Sequence, residues 1–209
     1  IALSVAPVRG LVSTVQSWKK SLAMIRIKEV DLKEKTVACR DGDDLLIKDY
    51  LGGFGVNLRL AWDLIPAGID PLAPENTVIV GAGSLVGTSV PGASKVLVTT
   101  KYPMTGAIAT GVGGMAFAGQ MKWAGLDHLV VKGRAVKPVY IKIMDEDVEV
   151  CDASSLWGRD TYETTDLLRK QHGHQASVLA IGMAGELQAP ISLAMVDKIS
   201  SVGKGGLGA

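Results

Sequence analysis

A glycine-rich loop follows a short apolar stretch in the segment TVIVGAGSLVGTSVPGASK, and loops of this kind can bind phosphate groups. The dinucleotide-binding fingerprint requires G-x-G-x-x-G, followed by a helix whose N-terminus faces the pyrophosphate. Gly81, Gly83 and Gly87 give a spacing that is one residue too long. A Pro-Gly pair at Pro91 would also stop a helix within its first turn. The loop therefore predicts a chain turn rather than a nucleotide site.

The other residues that could do chemistry do not form a catalytic set. His172 and His174 lie at the end of a predicted helix, where an imidazole interacts favourably with the helix dipole, and His128 precedes a predicted strand. No G-x-S-x-G elbow is present, and GKGG around Lys204 lacks the Ser or Thr of a phosphate-binding loop. We therefore predict no catalytic residue in this chain. Small-residue loops and lysines suit either a domain that holds a cofactor or a plain structural domain.

Composition limits the class of protein further. The chain has 209 residues, 47% of them apolar, and a net charge of +1 without a long basic run, so we expect a globular protein that does not bind nucleic acid. Its apolar runs are too short for a transmembrane helix, and we expect no membrane association. Cys39 and Cys151 are far apart, which favours reduced thiols and a cytoplasmic location over a disulfide or a metal cage.

The apolar patterns predict strands and helices without strict alternation, which indicates an α+β fold. Residues through Met24 could form a surface helix or a leftover of processing, and two strands follow with a turn at Asp41–Gly42. GAIATGVGG is predicted as a loop. Helices are predicted from beyond Gly55 to Pro66, in MAFAGQMKWAG up to Gly125, and from Thr161 as N-cap to Gly173. Further strands are predicted in TVIV, KVLVTTKYP, DHLVVKGRA, VYIKIMDEDVEV with a hairpin around Asp145–Asp147, ASVLAIG and APISLAMVD.

Six motifs in this order and spacing resemble the N-terminal domain of the aldehyde:ferredoxin oxidoreductase family of tungsten or molybdenum pterin enzymes. The resemblance extends from about Met24 to Ala209 and implies a layered helix-sheet-sheet-helix sandwich of two similar halves. Residues 1–23 would then be an N-terminal extension, and residues 24–209 one domain of a longer chain. The motifs are DPLAPENTVIVGAGSLVGTSVPGASK, TTKYPMTG, GQMKWAGLDHLVVKGRAVKPVYIKI, VEVCDASSLWG, LAIGMAGEL and GKGGLGA.

The resemblance also implies a function. In that family this domain is the platform for a bis-pyranopterin cofactor (tungstopterin or molybdopterin) with tungsten or molybdenum, and the remaining domains supply a [4Fe-4S] cluster and the acid/base residues. Aldehydes are oxidised to carboxylic acids in anaerobic metabolism, with ferredoxin as the electron acceptor, and a related branch reduces aromatic acyl-CoA compounds. The chain alone would not be catalytic. The cluster would belong to a missing remainder or a partner subunit, and the exposed face predicts an oligomer.

The resemblance assigns cofactor-binding residues to three positions along the chain. Lys95 falls where the family usually has an arginine that contacts phosphate and pterin. The first loop comprises Val112, Gly113 and Gly114, and Val112 stands where the family usually has an asparagine. The second loop comprises Ser200, Ser201, Gly203 and Lys204. Ser200 and Lys204 each stand where the family usually has an arginine. A magnesium ion between the pterin phosphates would be bound by the main-chain carbonyls of Val112 and Ser201.

These substitutions leave two hypotheses open. Lysine keeps the charge of arginine but loses its bidentate fork, and Ser200 loses the charge altogether. The chain is therefore either a divergent cofactor platform of a pterin oxidoreductase or a non-catalytic binding or assembly module derived from the same fold. A nicotinamide dehydrogenase is a distant third interpretation, since the glycine spacing contradicts it.

Overall fold

The structure, a computed structural model, describes residues 2–6, 25–42, 44–203 and 205–209. These residues form twelve strands and five helices. The strands are β1 (Ala2–Val5), β2 (Arg26–Asp31), β3 (Thr36–Asp41), β4 (Val78–Ala82), β5 (Val96–Lys101), β6 (Ile108–Gly113), β7 (His128–Lys132), β8 (Val139–Met144), β9 (Asp147–Asp152), β10 (Ser177–Ile181), β11 (Ala194–Val196) and β12 (Ser200–Val202). The helices are α1 (Asp44–Tyr50), α2 (Phe54–Leu64), α3 (Phe117–Trp123), α4 (Thr161–His172) and α5 (Met183–Glu186).

The strands form two six-stranded sheets. Sheet I has the order β12-β11-β10-β1-β8-β9, and sheet II the order β3-β2-β7-β4-β5-β6. Most neighbouring strands are antiparallel, but β1 pairs parallel with β8, and β2 pairs parallel with β7. Each sheet therefore combines antiparallel pairs with one parallel pair.

Three apolar clusters separate four layers. The alternation of side chains along a strand sends neighbouring residues to opposite faces of the sheet. In β4, Ile79 contacts the cluster that α2 covers, while Val80 belongs to the cluster between the sheets. In β10, Leu179 belongs to the central cluster, and Val178 packs in the cluster that includes Leu168 of α4. The predicted α+β sandwich of helix, sheet, sheet and helix is confirmed.

The predicted helices are present, with two corrected boundaries: α2 begins at Phe54 rather than beyond Gly55, and the N-cap of α4 differs. α2 ends two residues before Pro66, and α3 ends before Gly125, which has a φ of +86° that favours glycine. The N-cap of α4 is Asp160 rather than Thr161, because the Asp160 side chain accepts a hydrogen bond of 2.8 Å from the Glu163 backbone amide. The prediction of Thr161 as N-cap was wrong by one residue.

Two further predictions of local structure were wrong. The hairpin of β2 and β3 turns at residues 32–35 rather than at Asp41–Gly42, because Arg26 pairs with Asp41 across the ladder. The small-residue segment predicted as a loop forms β6, whose residues from Ile108 to Gly113 pair with β5. By contrast, the predicted hairpin around Asp145–Asp147 is confirmed by the pairing of β8 with β9.

The first residues of the chain are part of sheet I. β1 lies between β8 and β10, and all four of its residues are buried. Residues 2–5 therefore form a central strand of sheet I that is paired along both edges. The rest of the segment assigned to the extension, from residue 7 to residue 23, lies outside the described residues.

Candidate functional site

The two sheets meet where their outermost strands, β6 and β12, approach each other. A Cβ atom at Gly203 would lie 2.9 Å from the Cα of Gly111, and one at Gly113 would lie 2.8 Å from a methyl carbon of Val202. Real Cβ atoms do not come this close, so the glycines let the two backbones pack together. Gly113 and Gly203, both predicted as cofactor-binding residues, therefore also have a packing role at this junction.

Lys95, Gly114 and Ser200 lie together at one end of this junction, although they come from three separate segments. Lys95 precedes β5 and Gly114 follows β6, and the register pairs Val96 with Gly113, which brings the two flanking residues close. A Cβ atom at Gly114 would lie 3.6 Å from the Lys95 Nζ and 3.5 Å from the Ser200 Oγ. The Gly114 amide donates a hydrogen bond of 2.7 Å to the Ser200 Oγ. Three of the predicted site residues are thus neighbours.

The Lys95 ammonium is the cationic group of this cluster. The side chain is exposed, and no ion pair joins it to any residue in the described part of the chain. Beside it, Gly114 presents a backbone without a side chain, and Ser200 adds a neutral hydroxyl. A point charge next to an open backbone is suited to an anionic group such as a phosphate.

Val112 and Ser201 flank this cluster on the two sheets. Val112 pairs with Leu97 in β5, and Ser201 pairs with Met195 in β11. Both side chains are exposed, and each residue belongs to an outermost strand of its sheet. Because such a strand has a neighbour on one side only, part of its backbone is open to ligands. Among the described residues, no group of three or more His, Cys, Asp or Glu side chains could bind a metal ion, and Lys204 lies outside them.

Tyr102 lies behind the junction and was not identified from the sequence. Its ring packs against Gly205, where a Cβ atom would overlap the ring, and its hydroxyl donates a hydrogen bond of 3.3 Å to the Val98 carbonyl. A Cβ atom at Gly111 would lie 2.7 Å from the same hydroxyl. Burial raises the pKa of Tyr102 to about 12, so the hydroxyl stays protonated. The ring therefore supports both glycine segments of the junction.

The glycine-rich segment that begins in β4 has a packing function at Gly81, which is a residue of the strand. No helix follows it, and residues up to Lys95 form turns. A Cβ atom at Gly81 would lie 2.5 Å from the Nδ1 of His128 and would overlap the Oδ1 of Asn57. These two buried side chains are hydrogen-bonded to each other at 2.7 Å. The absence of a side chain at Gly81 makes room for this polar pair.

His172 does not belong to the junction and is held at the end of α4. Its Nε2 lies 3.0 Å from the hydroxyl of Tyr140. Burial lowers the pKa of His172, and the positive charge of Lys142 lowers it further, so the imidazole is neutral at pH 7. The residue has a packing role, as the sequence indicates.

An apolar cavity of about 630 Å³ lies at the other end of β5, away from Lys95. It opens between the two sheets, where Val80, Val98 and Leu179 are among its lining residues, and the charged residues Lys101 and Arg134 also line it. This volume is within the range of ligand-binding cavities, roughly 300 to 1,000 Å³. None of the predicted site residues in the described part of the chain lines it.

The chain is similar to known proteins over most of its length. A family profile described as aldehyde ferredoxin oxidoreductase, N-terminal domain, matches residues 27–209. The described part of the chain contains no helix with the length and apolar character needed to cross a membrane.

Curated relatives are similar over most of the chain. A tungsten-containing aldehyde ferredoxin oxidoreductase of Pyrococcus furiosus is 39% identical over 185 residues, which cover 88% of this chain and 31% of that protein. The enzyme of the same name from Thermococcus kodakarensis is 37% identical, with the same coverage of 88% and 31%. The chain thus spans less than a third of the length of these relatives.

A solved structure has the same fold. It is described as the active site complex BamBC of benzoyl coenzyme A reductase in complex with 1,5-dienoyl-CoA. The TM-score is 0.85 with 34% sequence identity, and the match covers 88% of this chain and 28% of that one.

Proposed function

Because the chain belongs to the aldehyde ferredoxin oxidoreductase family and matches its N-terminal domain, we propose that it is the cofactor platform of a tungsten or molybdenum pterin oxidoreductase. The whole protein would oxidise aldehydes to carboxylic acids and pass the electrons to a ferredoxin-type carrier. The observation that carries this proposal is the cluster of Lys95, Gly114 and Ser200 at the junction of the two sheets.

The residues at the junction fit the phosphate end of a pterin cofactor. Lys95 supplies a positive charge without a protein partner among the described residues, and Gly114 leaves room for a bulky group beside it. Tungsten is named in the curated relatives, which supports a tungsten pterin; molybdenum is the alternative metal. When bound, the pterin-held metal supplies the two-electron redox chemistry.

The chain's own role is to bind and orient that cofactor. We propose that Lys95 binds a pterin phosphate, that Gly113, Gly114 and Gly203 bring backbone close to the pterins, and that Lys204 adds a second cation. The main-chain carbonyls of Val112 and Ser201 would bind a magnesium ion between the phosphates. A carbonyl ligand does not depend on side-chain identity, so the valine and serine at these positions are compatible with this role.

Ser200 makes the anion site weaker in charge than an arginine would. Its hydroxyl already accepts the hydrogen bond of the Gly114 amide, and it carries no charge. A guanidinium would offer a bidentate contact to phosphate, whereas Lys95 offers a point charge. We therefore propose that the cofactor is bound here with fewer charge-assisted hydrogen bonds.

The iron-sulfur cluster would belong to another part of the protein. A [4Fe-4S] cluster needs four cysteine thiolates, whereas this chain has two cysteines in all, Cys39 and Cys151. We propose that the cluster, the acid/base residues and the aldehyde site are provided by further domains or a partner subunit. The reduced thiols are also consistent with a cytoplasmic protein.

Those further domains need a surface to pack against. The segment around α5 exposes large apolar side chains, of which Leu187 is 82% exposed and Ile191 is 73% exposed. Ile199, close to the junction in sequence, is 71% exposed. Exposed apolar side chains mark a protein contact where they form one contiguous patch. We propose that this surface contacts the remaining domains, a cluster-bearing subunit or another copy in an oligomer. The same surface is what a non-catalytic assembly module would use.

Metal analysis distinguishes the two functions. The full-length protein is purified without oxygen and analysed for tungsten, molybdenum and iron, and Lys95→Ala is compared with Lys170→Ala, a change of an exposed lysine on α4. A cofactor platform predicts stoichiometric tungsten or molybdenum that Lys95→Ala lowers and Lys170→Ala does not. Intact protein without either metal would contradict the platform and favour the assembly module.

A further inference from the structure

A tight turn joins β11 to β12 and comes directly before Ser200. It is closed by a hydrogen bond of 3.0 Å from the Ile199 amide to the Val196 carbonyl. Its two central residues, Asp197 and Lys198, have φ angles of +52° and +68°. Left-handed backbone is uncommon in residues other than glycine and persists where the surrounding structure holds it. The contacts of these two side chains therefore decide how the turn is held.

The carboxylate of Asp197 binds the turn to β10 and to a cation. The side chain is buried, and its Oδ1 accepts hydrogen bonds of 2.9 Å from the Val178 amide and from the Arg169 guanidinium. Its Oδ2 accepts a hydrogen bond of 2.5 Å from the Ser177 hydroxyl. A buried carboxylate is stable where it has partners of this kind, and those with a cationic donor are the stronger ones. The turn is thus fixed through a side chain as well as through the strand ladder.

Arg169 and Lys198 connect the same turn to α4. The Arg169 Nε donates a hydrogen bond of 3.0 Å to the Ala176 carbonyl, so one guanidinium joins the turn to the segment before β10. The Lys198 ammonium pairs with the carboxylate of Asp166. Asp166 and Arg169 are neighbours on one face of α4, one helical turn apart. Two ion pairs therefore hold consecutive residues of the turn against one helix.

β12 runs from this turn to the junction of the two sheets. It has three residues, lies at the edge of sheet I and pairs with β11. Its first residue, Ser200, accepts the hydrogen bond of the Gly114 amide. Because an edge strand this short has few contacts of its own, its position follows from the turn at which it begins. The contacts of the turn therefore determine where Ser200 meets Gly114.

We propose that Asp197 is a positioning residue for the cofactor site, because its carboxylate, paired with Arg169, places Ser200 beside Gly114. Asp197 acts through Ser200 and needs no contact with the cofactor. Loss of the carboxylate would release the turn, expose the Gly114 amide to water and displace the backbone of Ser201. The effect on the cofactor rests on the function proposed above, whereas the effect on the Gly114 amide depends on the fold alone.

Hydrogen exchange of the Gly114 amide tests this role in the full-length protein, with mass spectrometry and fragmentation to resolve single residues. Asp197→Gly removes the carboxylate but permits the left-handed backbone. We expect it to raise the exchange rate of the Gly114 amide roughly tenfold. Asp197→Asn keeps an oxygen acceptor and tolerates the same φ, so it is expected to retain the protection.

Asp145→Gly is the matched control. Asp145 is an exposed aspartate with a φ of +48° in the hairpin of β8 and β9, so the same substitution is made at a similar backbone geometry. We expect it to leave the exchange of the Gly114 amide unchanged. An unchanged rate in Asp197→Gly would overturn the proposal. So would an equal increase in the amides of β7, which would indicate general unfolding.

Metal content of the same preparations separates this proposal from the proposed function. Tungsten or molybdenum is expected to fall in Asp197→Gly and to stay near the wild-type level in Asp197→Asn. Unchanged metal in Asp197→Gly would overturn the role at the cofactor site. If the wild type contains neither metal, the proposed function fails, and the exchange rates still decide whether Asp197 positions Ser200.

Discussion

The amide of Gly114 in sheet II donates a hydrogen bond of 2.7 Å to the hydroxyl of Ser200 in sheet I. This contact joins two residues 86 positions apart and links the outermost strands of the two sheets. The proposed anion site is built around it, because Lys95 lies next to the same glycine. The position of the site therefore depends on how the sheets meet.

Removal of the Ser200 hydroxyl tests this link. We expect Ser200→Ala to lower the free energy of unfolding by about 1 kcal/mol, because the Gly114 amide loses its acceptor. Ser201→Ala is the matched control, since the neighbouring side chain is exposed. It is expected to change stability by less than ~0.5 kcal/mol. Urea denaturation measures both, and equal effects of the two changes would contradict the structural role.

A change of charge at Lys95 separates its electrostatic role from its packing. We expect Lys95→Glu to abolish retention of tungsten or molybdenum and Lys95→Arg to keep or increase it, because arginine restores the bidentate contact to phosphate. Stability should be unaffected, since Lys95 is exposed. Metal content measured against protein concentration checks the prediction. Similar metal content in both variants would place the cofactor elsewhere.

Substitution of Tyr102 tests the support of the glycine segments. We expect Tyr102→Phe to lower the free energy of unfolding by about 1 kcal/mol through loss of the bond to Val98, and Tyr102→Ala to cost about 3 to 5 kcal/mol. Tyr162→Phe is the control, because Tyr162 is 56% exposed on α4. Denaturation curves of the three variants measure these changes. An unchanged free energy of unfolding in Tyr102→Ala would rule out the supporting role.

The glycine-rich segment at the end of β4 offers a matched pair of substitutions, since Gly81 lies in the strand and Gly83 follows it. A methyl group at Gly81 would overlap Asn57 and crowd His128, so we expect Gly81→Ala to destabilise the fold by at least ~2 kcal/mol. A Cβ atom at Gly83 would lie 3.8 Å from its nearest neighbour, a methyl carbon of Val86, so Gly83→Ala is expected to be tolerated. Thermal unfolding of the two variants gives the comparison. If the glycines served nucleotide binding instead of packing, both substitutions would change stability little.

His128 predicts a dependence of stability on pH. The folded protein keeps this imidazole neutral down to a pKa of about 4, whereas the unfolded chain protonates it near 6.5. Between these values the unfolded state binds more protons, so the free energy of unfolding falls as the pH is lowered from 6.5 to 4, by up to ~3 kcal/mol. The contribution is fully present above pH 6.5. The lowered pKa of His172 acts in the same direction.

Comparison of wild type with His128→Gln at pH 7 and pH 5 isolates this effect, because other groups titrate in both proteins. We expect a smaller loss of stability on acidification in the variant. An NMR titration of His128 in the wild type provides the same information without a substitution. An ordinary pKa near ~6.5 in the folded protein would contradict the prediction.

The sequence predicted the elements with strong local signals. The apolar spacing and the glycine at position 125 indicated α3, and Pro66 indicated the end of α2. β6 was missed because Gly111, Gly113 and their small neighbours resemble a loop when read alone. Only the pairing with β5 and the contact with β12 make them strand residues. The D-x-x-E pattern at Asp160 was a signal that could have corrected the N-cap of α4.

Contacts between distant segments could not be predicted from local patterns. Lys95 and Gly114 were assigned to one site by family resemblance, and the strand register provides the physical reason for their proximity. Asn57 and His128 are separated by 71 residues, and neither has a local pattern that indicates the other. Tyr102 likewise gains its supporting role from contact with Gly205, which comes much later in the sequence.

The position of β1 has a consequence for the order in which the two sheets can form during synthesis. All six strands of sheet II come from one continuous stretch, Arg26 to Lys132, whereas sheet I needs β1 from the start of the chain and β8 to β12 from its second half. Sheet II can therefore fold on the ribosome before β8 and β10, the strands that pair with β1, have been synthesised. Because β1 separates β8 from β10, deletion of its four residues would divide sheet I and expose two new strand edges. Such edges favour pairing between chains, so loss of these few residues would lead to aggregation rather than to a slightly smaller domain.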